Sequence, residues 1–119
     1  MSASAPARRD TWLWLMQRLS AMVMAPLVAV HLATIVYAAR GGLDAAEVLA
    51  RTQGSLAWAA FYGLFVVAAA VHGGIGLRAV LGEWAGLKGA GVDAGLALLA
   101  VLLIAIGLRA VAAVVGGPA

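Results

Sequence analysis

The fold class this sequence predicts is all-α, an integral membrane bundle of three transmembrane helices, and three observations carry it. Of 119 residues, 65% are hydrophobic and 11% charged, with a mean hydropathy of +1.03, whereas a water-soluble domain is about 45–50% apolar and about 25% charged. The apolar content is Ala, Val and Leu in long runs, not β-branched residues alternating with polar ones, which favours helices that satisfy their own backbone in lipid over a barrel. Three such runs are present, each long enough for the roughly 20 residues a crossing needs.

Residues 1–11 are small, polar and basic, with Pro6, Arg8, Arg9 and Asp10, and read as a solvated cytoplasmic tail. The apolar run behind them continues at spanning length with no cleavage site, so this is not a signal peptide and is expected to be retained. Residues 12–119 read as a single three-helix domain. The first span, about 12–39, is bounded by Trp12 and Trp14 at one interface and by Tyr37 and Arg40 at the other, the positions where aromatic belts sit. Asp44, Glu47 and Arg51 among good helix formers then predict a short surface helix beginning near Asp44.

The second span, about 55–81, has Trp58, Phe61 and Tyr62 near its start and Arg78, Glu83 and Trp84 near its end. After a glycine-rich turn, the third span covers about 92–115 and closes on Gly116-Gly117-Pro118. Arg8, Arg9, Arg18, Arg78 and Lys88 fall on one side of these spans and Arg40, Arg51 and Arg109 on the other, which puts the N-terminus in the cytoplasm by the excess of basic residues there.

Composition also narrows function. With no cysteine, thiolate metal sites, iron–sulfur ligation and thiol nucleophiles are excluded for this chain. The net charge of +3 arises from basic residues scattered singly, so no nucleic acid is expected as a partner. No catalytic residues are expected either, because no Ser/His/Asp set or carboxylate pair is placed for hydrolysis.

Ionisable residues inside the spans are the informative ones, since each costs a few kcal/mol in lipid unless it faces protein, water or a cofactor. There are four: Arg18, His31, His72 and Arg109. Both arginines can reach headgroups along their own stems. His31 lies 13 residues beyond Arg18, roughly 20 Å deeper at the helical rise. It shares one helical face with Gln17, Ser20 and Met24, a face expected to meet other helices. His72 has Gly73, Gly74 and Gly76 around it. Two readings stand: close helix packing with the imidazole bonded to a neighbour, or space for a haem whose iron takes the imidazole nitrogen. With the first span rising and the second descending, the histidines differ in depth by about 15 Å. They do not share one iron, so each would need a partner His from another chain, or only one is a ligand.

Two segments resemble a known family. Gln17-Arg18-Leu19-Ser20-Ala21 is similar to an Arg-x-Ser-Gly or Arg-x-Thr-Ala signature. His72-Gly73-Gly74-Ile75-Gly76-Leu77-Arg78, followed by Glu83-Trp84, is similar to a His-x-x-x-Gly-[Ile/Met/Leu]-[Arg/Trp] segment with Asp-Tyr eleven residues after the His. Both belong to the small three-helix cytochrome b anchors of succinate dehydrogenase and fumarate reductase, and the likeness covers about residues 12–115.

That resemblance implies a haem b-binding anchor subunit in the bacterial cytoplasmic (inner) membrane, surrounded by membrane lipid. Its partners would be a flavoprotein subunit, an iron–sulfur subunit and a second membrane-anchor subunit or a second copy of this chain. It implies His72 as an axial ligand of the haem nearer the cytoplasm, and Arg18 at the haem propionates or the quinone with Ser20 lining the same region. Glu83 and Trp84 stand where the family has its Asp-Tyr pair beside the quinone, ubiquinone or menaquinone; Trp84 retains an indole N–H donor but loses the exchangeable phenol proton. His31 resembles the first-helix ligand of di-haem relatives. The chain would have no independent activity, the soluble subunits oxidising succinate. The rival reading is a helical membrane scaffold or assembly subunit without haem. A proton-coupled transporter ranks below both, because Asp10, Asp44, Glu47, Glu83 and Asp93 all fall at span ends or in loops.

Overall fold

The computed structural model describes residues 4–116, which form four helices: α1 (Ala5–Gly41), α2 (Ala45–Thr52), α3 (Leu56–Trp84) and α4 (Ala90–Val115). Among the described residues there is no strand. Helices α1, α3 and α4 are long and apolar enough to cross a membrane, the fold class the sequence predicts. Met1 to Ala3 of the expected tail, and Gly117 and Pro118 of the expected closing signal, lie outside the described residues.

Helix α1 begins at Ala5 rather than at Trp12. The Ser4 hydroxyl accepts from the Ala7 N–H at 3.3 Å, and Pro6 sits in the first turn, where its missing N–H costs nothing. Residues 5–11 are thus helical while remaining exposed. The helix of 37 residues is about 55 Å long at 1.5 Å per residue, longer than the roughly 30 Å hydrocarbon core. It ends on Gly42, whose φ of 66° lets its N–H reach the Ala38 and Ala39 carbonyls.

Helix α2 is the surface helix announced by Asp44. The Asp44 carboxylate accepts from the Glu47 N–H at 2.8 Å and the Glu47 carboxylate from the Asp44 N–H at 2.9 Å, a reciprocal cap. Its far end closes α4: the Thr52 hydroxyl donates to the Val114 carbonyl at 2.9 Å and the Gly54 N–H to the Val115 carbonyl at 2.8 Å. Two carbonyls that a helix end leaves without partners are satisfied in this way.

Helix α3 is central, packed on α1 along one side and on α4 along the other. Its approach to α4 is closest at Gly107, where an added Cβ would lie 2.5 Å from Val66 Cγ1, the use small residues have at helix crossings in lipid. At one end Asp93 of α4 accepts from Arg78 Nε of α3 at 2.8 Å and pairs with Arg9 of α1 at 3.4 Å. The start of α1, the end of α3 and the start of α4 therefore lie together, so the three spans alternate in direction. Lys88 borders the same end, whereas Arg51 lies over the Tyr37 ring at the other. Only Ser20, Thr52, Ala68 and Ala70 are buried among the described residues. The bundle is a thin layer, and a polar seam runs between α1 and α3.

Candidate functional site

Along that seam α1 turns Gln17, Ser20 and His31 toward α3, the face on which the helical wheel places them. Gln17 Nε2 would lie 3.2 Å from a Cβ at Gly76, so this glycine makes room for the amide. Ser20 meets His72, its Oγ 3.2 Å from His72 Nδ1, and also donates to the Gln17 main-chain carbonyl at 3.0 Å. His31 packs edge-on against Tyr62 and Phe65, with ring centroids at 5.7 and 5.5 Å. Ser20 and His31 are about 16 Å apart along α1 at the helical rise, so the two histidines occupy different depths, as the sequence predicts.

The three glycines around His72 do not act alike. Gly76 receives Gln17 and Gly74 closes on Ala100 of α4, where an added Cβ would lie 3.6 Å from the alanine methyl. Gly73 alone has nothing within 4 Å of an added Cβ. Of the three, only Gly73 leaves exposed surface on α3, so the glycines do not act as one cluster.

A histidine that ligates iron needs one ring nitrogen free and, as a rule, a hydrogen-bond partner on the other to orient the ring. His72 fits both requirements: Nδ1 is bonded to Ser20, and Nε2 has no hydrogen-bond partner among the described residues. His31 does not meet the second requirement: among the described residues neither of its ring nitrogens has a hydrogen-bond partner, and its Nδ1 is buried. No three His, Asp or Glu side chains gather into a metal-binding group among the described residues. The site is one of single histidines, compatible with an axial ligand and not with a multidentate cage.

One turn above Ser20, at the end where Asp93 joins the helices, a groove of about 640 Å³ opens among Trp14, Gln17, Arg78, Glu83, Lys88 and Asp93. The four residues expected at a quinone do not all line it. Glu83 does. Arg18 is exposed, its guanidinium carbon 5.0 Å from the Trp14 ring centroid, and reaches the groove only through that ring. Ser20 lies deeper, against His72. Trp84 is 86% exposed and points away from the bundle. Gln17, absent from the sequence-based candidates, has a buried side-chain oxygen without a partner and borders the groove. Its signal was its place on the helical face it shares with Ser20, Met24 and His31.

A family model described as succinate dehydrogenase/fumarate reductase transmembrane subunit matches residues 3–113, a stretch that contains the Ser20–His72 pair, the groove, the first two spans and all but the last two residues of α4. Neither a curated protein nor a solved structure matches the chain.

Proposed function

Because the chain belongs to the succinate dehydrogenase/fumarate reductase transmembrane subunit family, we propose that it is the haem b-binding anchor of a succinate:quinone oxidoreductase. In this reading it docks the flavoprotein and iron–sulfur subunits and contributes part of the quinone site. The observation that carries the haem assignment is His72, half-buried in the central helix with Nδ1 tied to Ser20 and Nε2 without a hydrogen-bond partner among the described residues. A further ligand to the haem would come from a second anchor subunit or a second copy of this chain. When bound, haem supplies a one-electron relay, and the redox chemistry is its own.

The tasks left to the protein fall on named residues. The α1–α3 seam orients the His72 imidazole and keeps water from its bonded edge. Arg18, permanently charged and held against Trp14, is placed to meet a propionate or a quinone oxygen, for which a forked donor is suited. Glu83 and Gln17 line the groove in which we place the quinone headgroup, and Trp84, exposed at the end of α3 and outside that groove, meets the docked iron–sulfur subunit. His31, lacking an orienting partner, we read as an aromatic packing residue and not as a second ligand. The end bearing Arg9, Arg78 and Lys88 faces the cytoplasm of a bacterial inner membrane, where the soluble subunits bind and succinate is oxidised.

The test is a reduced-minus-oxidised spectrum, with a haem-to-protein ratio, of the complex purified in mild detergent through a tag on this chain. A b-type signal with one haem per His72-bearing site and co-purifying soluble subunits is expected. A colourless preparation that retains those subunits would leave a haem-free quinone anchor. Loss of both would leave the helical scaffold, with the histidines as packing residues.

A further inference from the structure

The hydrogen bonds at Ser20 determine more than its position. A serine hydroxyl has one proton to donate and two lone pairs to accept with. Ser20 lies 3.0 Å from the Gln17 main-chain carbonyl and 3.2 Å from His72 Nδ1, and it is among the few buried residues of the bundle, so both bonds are shielded from bulk solvent. A carbonyl oxygen only accepts. The Ser20 proton is therefore committed to Gln17, and only Ser20 lone pairs face the imidazole. Were the proton turned to His72 instead, two oxygens without a hydrogen between them would stand 3.0 Å apart.

We propose that Ser20 is a positioning residue that fixes His72 in the tautomer carrying its proton on Nδ1, and so presents Nε2 as the free lone pair. The inference rests on the reading of His72 as an axial ligand and assigns Ser20 a role in it beyond lining the haem or quinone region. The order of donation is His72 N–H to Ser20 Oγ, then Ser20 O–H to the Gln17 carbonyl, a chain in which each bond strengthens the next. An imidazole whose remote N–H is accepted by an oxygen is a more basic ligand, and a more basic ligand favours the ferric over the ferrous state. The same bonds leave Ser20 no proton to offer a propionate or a quinone.

The experiment is a redox titration of the haem band in the purified complex, comparing the native chain with Ser20→Ala and with the near-isosteric pair Ser20→Thr and Ser20→Val. Loss of the hydroxyl in Ala and Val is expected to move the midpoint potential to more positive values, whereas Thr stays at the native potential. Loss of haem in Val with retention in Thr supports the same conclusion, since an unanchored ring no longer presents Nε2. The inference is overturned if Ala, Val and Thr all titrate with the native protein, if Thr shifts as far as Val, or if Thr and Val lose haem equally, because packing and not the hydrogen bond would then act at position 20. A native complex without haem removes the ligand reading itself, a result distinct from all three.

Discussion

His72 and His31 are both half-buried histidines on spanning helices, and their difference lies in one bond. His72 has Ser20 on Nδ1; the Nδ1 of His31 has no hydrogen-bond partner among the described residues. Replacing His72 with Leu should therefore abolish the haem band, because no other nitrogen of this chain stands in its place. His31→Leu and Arg109→Leu should leave the band at native intensity, the first being a swap of one packing side chain for another and the second lying on exposed α4 surface. Haem content per complex from pyridine haemochrome spectra checks all three, and full haem in His72→Leu would refute the ligand assignment. The helical wheel revealed that Ser20 and His31 look the same way, because a period of 3.6 fixes rotation about the axis. It could not reveal that Ser20 meets His72 across 52 positions, because the sliding of one helix along another is set by packing details that periodicity does not encode. Gln17 stayed hidden for a related reason: its buried, unpaired oxygen is a property of its neighbours.

Among the elements, the clearest joint is Asp93, which holds the starts of α1 and α4 to the end of α3. Asp93→Asn should weaken both contacts. Hydrogen bonds to charged groups are worth about 1.5–3 kcal/mol, but the partners are partly exposed, so a loss of about 1 kcal/mol is expected after screening, and Arg9→Gln should cost less than Arg78→Gln. Thermal unfolding in detergent followed by circular dichroism, with and without added salt, separates the two. Gly107→Val tests the α3–α4 crossing: an added Cβ meets Val66 at 2.5 Å, and overpacking costs about 1–3 kcal/mol. Val66→Ala in the same chain should recover most of that loss, whereas equal destabilisation of the single and double variants would place the crossing elsewhere. The short helix α2 was legible because Asp44 and Glu47 form a reciprocal cap whose spacing is written in the sequence. The start of α1 was not, because hydropathy marks where lipid begins, while the helix begins where Ser4 caps it, at Ala5.

For the molecule as a whole, the thin layer explains why so much apolar surface is left uncovered. Helix α4 buries none of its residues, and Leu98, Val101, Leu102 and Ile106 are all exposed, which suits a chain whose solvent is lipid and neighbouring subunits. From Trp12 to Tyr37 along α1 is about 37 Å at the helical rise, close to the 40–45 Å of a bilayer with its headgroups, so the aromatic residues mark the two interfaces. The layer then has one end with Arg9, Arg78 and Lys88 and another with Arg40 and Arg51, and the proposal that the first end faces the cytoplasm rests on the excess of basic residues there. The chain has no cysteine, so single cysteines report cleanly on sidedness. Leu87→Cys, in the exposed turn after α3, and Ala46→Cys, on the exposed face of α2, sit at opposite ends. With a membrane-impermeant maleimide and the soluble subunits stripped away, Leu87→Cys should react only in inverted vesicles and Ala46→Cys only in right-side-out ones. If the soluble subunits dock where the groove opens, Leu87→Cys should also be protected in the intact complex and become reactive once they are stripped away. Labelling of Leu87→Cys from the outside would reverse the orientation and with it the placement of the quinone groove on the cytoplasmic side.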